Sequence, residues 1–296
     1  MTERKKPTQT TADFWLVTVT FFWGTTFIIS KLVLEQVPLP VFLAIRLNIA
    51  AVAMILIALK YKDQLSLQTL RDGIILGLFL FFSYLFQMWG IQYTTASNAG
   101  FITALSVVLV PVFAILFFGD HPKIASLVGV IFATAGLYYL SGGDFSALTK
   151  GDWLVFVCAV VVTFHVILTG RFAPRNNIYL LTAVQMTTIG LLSLILLAFQ
   201  SRPLPDISLP QLAVLVYLAL FGTVYTFLMQ TAMQRFTTAT RTALVFSLEP
   251  VFAALFAFII AGEVLSPTGW FGGFLILCGM LIAEIRWQTI FKRNKK

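Results

Sequence analysis

The sequence predicts an all-α integral membrane protein with ten transmembrane helices in two inverted five-helix repeats. Three observations predict this fold: a very apolar composition, apolar stretches long enough to cross a bilayer, and an internal repeat. Of the 296 residues, 59% are hydrophobic and 11% are charged, whereas a soluble domain carries about 25% charged residues. Stretches of about 20 apolar residues, the length that a bilayer span needs, fill nearly the whole chain. They leave no room for a soluble domain.

Proline and glycine residues divide the apolar sequence into ten segments. Pro38, Pro122, Pro174 and Pro267 lie between segments, and prolines at such positions commonly mark helix ends. The predicted transmembrane helices, numbered 1 to 10 in chain order, cover residues 14–34, 40–59, 72–91, 96–118, 123–141, 152–170, 178–199, 210–231, 238–261 and 268–287.

The positions of the basic residues predict the orientation of these helices. With the N-terminus in the cytoplasm, the inside segments carry 16 Lys and Arg residues, and the outside loops carry 2, Lys150 and Arg202. This bias predicts that both termini are cytoplasmic, in the cytoplasmic (inner) membrane of a bacterium. The net charge of +8 therefore indicates topology rather than a nucleic-acid partner. Lys31 and Arg46 lie within spans, and we expect Lys31 to extend towards the membrane interface.

An internal repeat divides the chain into two halves. Residues 87–140 align with residues 230–283 without a gap, at a constant offset of 143 residues. Each half holds five predicted helices, which is an odd number. The first repeat at 1–142 and the second at 143–296 should therefore face opposite ways across the membrane. Inverted repeats of this kind are typical of secondary transporters that work by alternating access.

The repeated stretch resembles the EamA-type proteins of the drug/metabolite transporter superfamily. The matching residues are Trp23-Gly24, Arg46, Thr94-Thr95-Ala96, Gly129 and Gly136 in the first half, and Thr237-Thr238-Ala239, Leu248-Glu249-Pro250-Val251, Gly262-Glu263, Gly272 and Gly279 in the second. The resemblance covers nearly the full chain, and two EamA-like copies in ten spans is the usual layout of that family. It implies a polytopic carrier, often an exporter of amino acids or other small metabolites, and it implies no specific substrate.

One departure from the family pattern distinguishes the two halves. The first half has Ser106-Val107 where the second half has Glu249-Pro250, and Pro111 follows four residues after the expected proline position. A proline removes a backbone donor and bends the helix in which it lies. We therefore expect helix 4 to bend at a different depth from helix 9.

Glu249 is the first candidate for transport chemistry because it lies about eleven residues into helix 9, near the bilayer midplane. An ionisable group at this depth is costly unless it is paired, hydrated or protonated. Glu249 either binds a cationic group or a proton in a cavity, or it is a structural acid bonded to a neighbouring helix. Helical spacing places Arg241 on the same face, and the repeat places Asn98 and Ser106 on the matching face of helix 4.

Other polar residues within the predicted spans, with Arg46 in the outer third of its helix, are further candidates. His165 in helix 6 is either a proton-coupling group, since histidine can titrate near neutral pH, or a residue satisfied by a neighbouring hydroxyl. Arg46 in helix 2 is either a structural anchor or a contact for a substrate carboxylate. The remaining cavity candidates, each of which is otherwise a packing residue, are Trp23 with Thr26 on helix 1, Tyr84 with Gln87 on helix 3, and Tyr225 on helix 8.

Glycines late in each half predict close helix packing rather than substrate contact. Gly129 and Gly136 lie in helix 5, and Gly272 and Gly279 lie in helix 10. Small residues allow two helix backbones to approach closely. We expect this packing either within the bundle or at the contact of a homodimer.

The sequence contains no pattern typical of an enzyme, a metal site or a cofactor site. Both cysteines, Cys158 and Cys278, lie within predicted spans, and we expect them to be packing residues. The prediction is an exporter of small metabolites, amino acids or related compounds, that works by alternating access. The alternatives are a multidrug efflux carrier and, from another class, a membrane-embedded enzyme. The expected partners are a small-molecule substrate and the lipid bilayer, with proton coupling at Glu249 or His165.

Overall fold

A computed structural model describes residues 8–119, 124–201, 203–236, 242 and 245–284. All regular secondary structure in these residues is helical. The α-helices are α1 (Gln9–Leu34), α2 (Leu39–Ala58), α3 (Leu67–Gly90), α4 (Ala96–Ala104), α5 (Ser106–Phe118), α6 (Ile124–Leu140), α7 (Lys150–Phe172), α8 (Ile178–Ala198), α9 (Leu209–Ala219), α10 (Thr226–Met233), α11 (Glu249–Ala261) and α12 (Pro267–Glu284). A π-helical segment (Leu220–Tyr225) joins α9 directly to α10.

Seven helical stretches among the described residues are long and apolar enough to cross a membrane. They are Thr10–Leu34, Leu39–Gln64, Leu67–Tyr93, Ala96–Phe117, Lys150–Arg175, Ile178–Ala198 and Leu209–Met233, and the shorter apolar helices are Val128–Leu140, Glu249–Ala261 and Pro267–Ile282. Many large apolar side chains are exposed, including Phe14, Leu191 and Phe274. Lipid rather than water suits such a surface, and the protein is a multi-pass membrane protein.

Capping hydroxyls start two helices earlier than hydrophobicity alone predicted. α1 begins at Gln9 rather than at residue 14, and α3 begins at Leu67 rather than at residue 72. The side chain of Thr8 accepts a hydrogen bond from a backbone N–H in the first turn of α1, and Ser66 does the same for α3. Such caps satisfy donors that the helix itself leaves unpaired, so both helices extend into polar residues outside the apolar stretch.

Predicted helices 4 and 9 are each interrupted near their middle. Leu105 separates α4 from α5, and the described part of helix 9 turns at Leu248 before α11 begins. These two leucines are 143 residues apart, which is the repeat offset, so the prediction that helix 4 bends at a different depth is wrong. Pro111 lies inside α5 without ending it. Pro250 lies in the first turn of α11, where a helix needs no N–H donor.

The two halves also end these helices in the same way. Gly119 follows α5 and Gly262 follows α11, and their φ angles are +71° and +65°. Glycine adopts this left-handed backbone conformation without steric cost. The two glycines are again one repeat offset apart, so the backbone repeats its local geometry where the sequence repeats.

The main helix contacts join one half of the chain to the other. α6 packs along α12, α2 packs along α8, and α3 packs against both α7 and α8. α1 packs against α10 and α11. The centre of the bundle therefore lies between residues 1–142 and residues 143–296.

Two polar clusters mark the ends of the bundle, and we name each end after one residue. At the Asp72 end, the buried carboxylate of Asp72 accepts hydrogen bonds from Nε and Nη2 of Arg175, both at 2.9 Å, and from Asn176 Nδ2 at 2.9 Å. These bonds tie the first turns of α3 to the connection between α7 and α8. At the Lys31 end, Lys31 forms an ion pair with Glu263.

Glycines bring α6 and α12 into backbone contact. A Cβ atom built on Gly136 would lie 2.6 Å from the carbonyl oxygen of Gly272, and one built on Gly279 would lie 2.7 Å from that of Gly129. No side chain fits at these separations, so the glycines allow the two backbones to touch. These glycines therefore pack α6 against α12 within the bundle.

We expect Gly272→Val to destabilise the protein by about 1–3 kcal/mol, because the added side chain overpacks this crossing. The measurement is the thermal unfolding midpoint of the purified protein in detergent. Gly170→Ala in α7 is the matched control, since nothing lies within 4 Å of the position that an added Cβ atom would take. Helix propensity predicts that the control is neutral or slightly more stable. Equal unfolding midpoints for Gly272→Val and the wild type would contradict the proposed contact.

Candidate functional site

A cavity of about 70 Å³ lies at the centre of the bundle and is lined from both halves of the chain. Of the ten cavity candidates predicted from the sequence, seven line it: Trp23, Thr26, Tyr84, Gln87, Ser106, His165 and Glu249. Arg46 lines it as well. A volume of this size is large enough for several water molecules, so it is a solvent-sized opening among otherwise packed helices.

Arg46 is buried in the wall of this cavity with only neutral acceptors around it. Its Nε donates to Thr223 Oγ1 at 3.1 Å, and its Nη1 donates to Ser30 Oγ at 3.3 Å. Its Nη2 donates to the Tyr84 hydroxyl and the Gly222 carbonyl oxygen, both at 3.4 Å. No ion pair joins Arg46 to a carboxylate within the described part of the chain. The hydrogen bonds anchor the guanidinium, but no described residue supplies a negative charge to pair with it.

The π-helical segment shapes the wall beside Arg46. A Cβ atom on Gly222 would lie 2.5 Å from Thr26 Cγ2 and 3.3 Å from Arg46 Nη2, so glycine is needed for this approach. Thr223 Oγ1 also donates to the carbonyl oxygen of Leu218 at 3.1 Å. This bond gives that carbonyl oxygen a donor within the wider π-helical turn. Single π-helical turns of this kind are frequent at functional sites.

Glu249 and Ser106 occupy equivalent positions in the two halves. Each is the first residue of the helix that follows an interruption, α11 and α5 respectively. The side chain of Glu249 forms no hydrogen bond or ion pair with another described residue. Its carboxylate lies in the first turn of α11, where the helix dipole favours negative charge. The cavity thus contains a carboxylate that has no partner among the residues that the structure describes.

His165 is buried beside the same cavity and is held by an amide. Its Nε2 lies 3.1 Å from Gln185 Oε1, while its Nδ1 has no partner among the described residues. The ring edge faces Phe227, with centroids 5.6 Å apart. The side chain that holds the ring is therefore an amide rather than the hydroxyl expected, and one ring nitrogen remains available.

Aromatic rings form the apolar wall of the cavity. The Trp23 ring centroid lies 5.5 Å from that of Phe227 and 5.3 Å from that of Phe246. Phe227 also lies 6.1 Å from the ring of Tyr84. Rings from α1, α3 and α10 therefore surround the polar groups, as in many small-molecule sites.

Three predicted cavity residues are not among those that line it. Asn98 lies in the first turn of α4 at the Lys31 end, about 12 Å along the helix direction from Ser106 at 1.5 Å per residue. The hydroxyl of Tyr225 lies 2.5 Å from Thr18 Oγ1, so Tyr225 joins the π segment to α1. Arg241 falls on a position outside the described residues.

Hydrophobicity and spacing did not identify several residues that line the cavity. Gln230, Thr103, Cys158 and Phe227 all contribute to its surface. A signal for Gln230 was present in the repeat, because it is the counterpart of Gln87. Cys158 was expected to be a packing residue, and it is buried but borders the cavity. No group of three His, Cys, Asp or Glu side chains among the described residues could hold a metal ion.

A second cavity, which we call the vestibule, extends from the central cavity to the Asp72 end. Its volume is about 320 Å³, and it shares Ser106, Val107, Val166 and Phe246 with the central cavity. It continues to Arg171 and other residues near the end of α7 and α10. A thin wall of side chains therefore separates the centre of the protein from one end of the bundle.

At the Lys31 end, one carboxylate joins three elements. Glu263 Oε1 pairs with Lys31 Nζ at 3.0 Å. Its Oε2 accepts hydrogen bonds from the backbone N–H groups of Ala96 at 3.0 Å and Ser97 at 3.3 Å. The bonds link α1, the start of α4 and the connection between α11 and α12. Lys31, which was expected to extend towards the membrane interface, forms its ion pair at this end of the bundle.

Comparison with known proteins identifies the family. The sequence matches the EamA-like transporter family at residues 10–142 and again at residues 149–284. This chain belongs to the EamA-like transporter family. The resemblance inferred from the sequence is confirmed, and the protein is a membrane transporter.

Several relatives are similar to this chain in sequence, and one solved structure shares its fold. An uncharacterized transporter of Archaeoglobus fulgidus is 33% identical over 275 residues, covering 93% of this chain and 86% of the relative. Protein PagO of Salmonella typhimurium is 26% identical, with 86% and 85% of the two chains covered. A WAT1-related chloroplastic protein of Arabidopsis thaliana is 23% identical, with 91% and 68% covered. A crystal structure with 18% identity shares the fold, with a TM-score of 0.71 over 98% of this chain and 100% of that chain.

We expect Arg46→Lys to lower stability by about 2–4 kcal/mol, because an ammonium group cannot reproduce the planar set of donors that contacts three separate elements. The measurement is the thermal unfolding midpoint in detergent. Arg235→Lys, at an exposed position after α10, is the control and should remain close to the wild type. A wild-type midpoint for Arg46→Lys would show that the guanidinium geometry does not anchor the bundle.

Proposed function

We propose that this family member is a secondary transporter that moves small metabolites, amino acids or related compounds, through the central cavity. The observation that carries the proposal is the presence in one cavity of Arg46 and Glu249, neither of which has an oppositely charged partner among the described residues. A buried charge without a counter-charge is unfavourable in a membrane. A substrate that supplies the missing charges would be bound by both groups.

An amino acid carries the two charges that this cavity lacks. Its carboxylate is suited to the guanidinium of Arg46, whose donors can bind two oxygens at once. Its ammonium group is suited to the carboxylate of Glu249. The aromatic wall formed by Trp23, Phe227 and Phe246 suits an apolar side chain. The same chemistry allows proton coupling, since a proton on Glu249 or His165 would compete with or accompany the substrate.

We further propose that ten helices cross the membrane as two inverted repeats, residues 1–142 and 143–296. The equivalent interruptions at Leu105 and Leu248 and the helix contacts between halves support this arrangement. Interrupted helices at mid-membrane commonly form transporter sites, and a pair of inverted repeats can exchange two conformations around such a site. Alternating access is therefore the mechanism we propose.

The proposed orientation places the Lys31 end outside and the Asp72 end in the cytoplasm, with both termini cytoplasmic in a bacterial inner membrane. The distribution of 16 basic residues against 2 supports it. The vestibule then leads towards the cytoplasm, which is the side from which an exporter takes up its substrate. Export is accordingly the direction we propose, and a homodimer stays a prediction.

A multidrug efflux carrier is the second candidate. The aromatic wall favours it, because aromatic rings attract organic cations. The unpaired positive charge of Arg46 in the same cavity disfavours a cationic ligand. Competition between amino acids and organic cations for transport distinguishes the two candidates.

We expect Glu249→Gln to abolish proton-dependent transport and to weaken amino-acid binding by roughly 10- to 100-fold, since it removes the only charge proposed for the ammonium group. The measurement is the flux of labelled amino acids in proteoliposomes, with and without a pH gradient. Glu35→Gln, at an exposed carboxylate after α1, is the matched control. Normal pH-dependent flux in Glu249→Gln, from protein that is monodisperse on purification, would remove Glu249 as the coupling site.

We expect Glu263→Gln to shift the protein towards a state that is open at the Lys31 end. The amide still accepts hydrogen bonds from Ala96 and Ser97 but loses the ion pair with Lys31, which is worth about 1 kcal/mol for partly exposed groups, or roughly fivefold in population. In a Cys278→Ser background, alkylation of Cys158 by an impermeant maleimide added at the Lys31 end should speed up by that factor.

Lys60→Met is the control for this labelling experiment, because Lys60 is exposed and lies after α2 at the other end of the bundle. In Lys60→Met, the rate at which Cys158 is alkylated from the Lys31 end should equal the rate in the parent protein. Equal rates in Glu263→Gln and in the parent would show that the ion pair does not restrain opening at this end.

A further inference from the structure

Gln230 is the most poorly satisfied polar side chain at the central cavity. It is 1% exposed and lines the cavity. Neither Oε1 nor Nε2 has a hydrogen-bond partner, and among the described residues it is the buried amide for which both atoms are unpartnered. Buried amide groups in proteins are nearly always paired, so an unpaired amide at a cavity indicates a group that a ligand completes.

The internal repeat explains why Gln230 is unpaired. Its counterpart at the 143-residue offset is Gln87, whose Nε2 donates to Thr103 Oγ1 at 3.2 Å. The counterpart of Thr103 at the same offset is Phe246, which has no hydrogen-bonding group in its side chain. The second half therefore keeps the glutamine and lacks its hydroxyl partner.

The replacement at position 246 also changes the surroundings of Gln230. Phe246 packs on Trp23 and borders both the central cavity and the vestibule. Gln230 thus shares the wall of the central cavity with the aromatic residues Trp23, Phe227 and Phe246. In the first half, the equivalent amide is held by its own neighbour and is less available to a ligand.

We propose that Gln230 is a specificity-determining residue that binds a neutral hydroxyl or carboxamide group of the transported metabolite. A primary amide offers two N–H donors and a carbonyl acceptor, so its best complement is a group that both donates and accepts. This inference rests on the proposed transport function. It goes beyond that function in selecting substrates with such a polar group over isosteric apolar ones.

The test uses pairs of substrates that differ by one hydrogen-bonding group: threonine with valine, asparagine with leucine, and tyrosine with phenylalanine. Each pair competes for transport by the purified full-length protein in proteoliposomes, and the ratio of kcat/KM values is measured. We expect the wild type to favour the polar member of at least one pair by about tenfold or more. The reason is that the apolar member, when bound, leaves the buried amide of Gln230 unpaired. Gln230→Met should bring that ratio close to one.

Two further variants separate binding from a structural role. Phe246→Thr gives Gln230 the partner that Gln87 has, so it should lower the ratio while Gln230 itself is intact. Gln87→Met removes the repeat counterpart, whose amide is already paired, so whatever rate remains should show the wild-type ratio. Phe246→Thr also keeps the proposal testable if Gln230→Met fails to fold.

The outcomes distinguish this inference from the proposed function. Transport of the panel with no preference in the wild type, or an unchanged preference in Gln230→Met, overturns the role of Gln230 and leaves the transport function standing. Equal loss of preference in Gln87→Met and Gln230→Met also overturns it. Failure of the wild type to move any member of the panel overturns the amino-acid function and this inference together.

Discussion

The buried guanidinium of Arg46 organises the centre of this protein. In the middle of a bilayer no bulk water solvates a charge, so the protein must supply the acceptors itself. Hydroxyls from α1, α3 and the π segment and one carbonyl oxygen from that segment do so. The acceptors are all neutral, so the hydrogen bonds fix the position of the group and leave its charge for the cavity. Gly222, in the π-helical turn beside Arg46, leaves the space that the Thr26 side chain and the guanidinium occupy.

The two halves have similar backbones and different side chains at the cavity. The interruptions at Leu105 and Leu248 coincide in the repeat, so both halves present the first turn of a helix to the centre. Ser106 in one half corresponds to Glu249 in the other. Similar backbones in the two halves are what the proposed alternating access requires. Different side chains allow one half to supply most of the groups that a substrate would satisfy.

The membrane explains which parts of this fold were predictable. Lipid requires long apolar helices, so the helices and the family were evident from hydrophobicity, glycine positions and the repeat. Their positions within predicted spans indicated Glu249, His165 and Arg46, because ionisable groups inside the membrane are costly and rarely incidental. Helix starts were predicted less well, since the hydroxyl of Thr8 extends α1 beyond its apolar stretch. The ion pair of Lys31 was missed because its partner is 232 residues away in sequence.

The amino-acid sequence determined the helical class, the sequence repeat and the family, because all of these follow from local composition and order. It did not determine which face of each helix points towards the cavity. Tyr225 and Gln230 lie within two turns on one continuous helix, yet Tyr225 bonds to α1 while Gln230 lines the cavity. The π segment between α9 and α10 changes the angle at which successive side chains leave the helix, and packing against α1, α2 and α8 sets its rotation. Tertiary packing therefore decided which residues line the cavity, since the rotation of a helix about its axis depends on its neighbours.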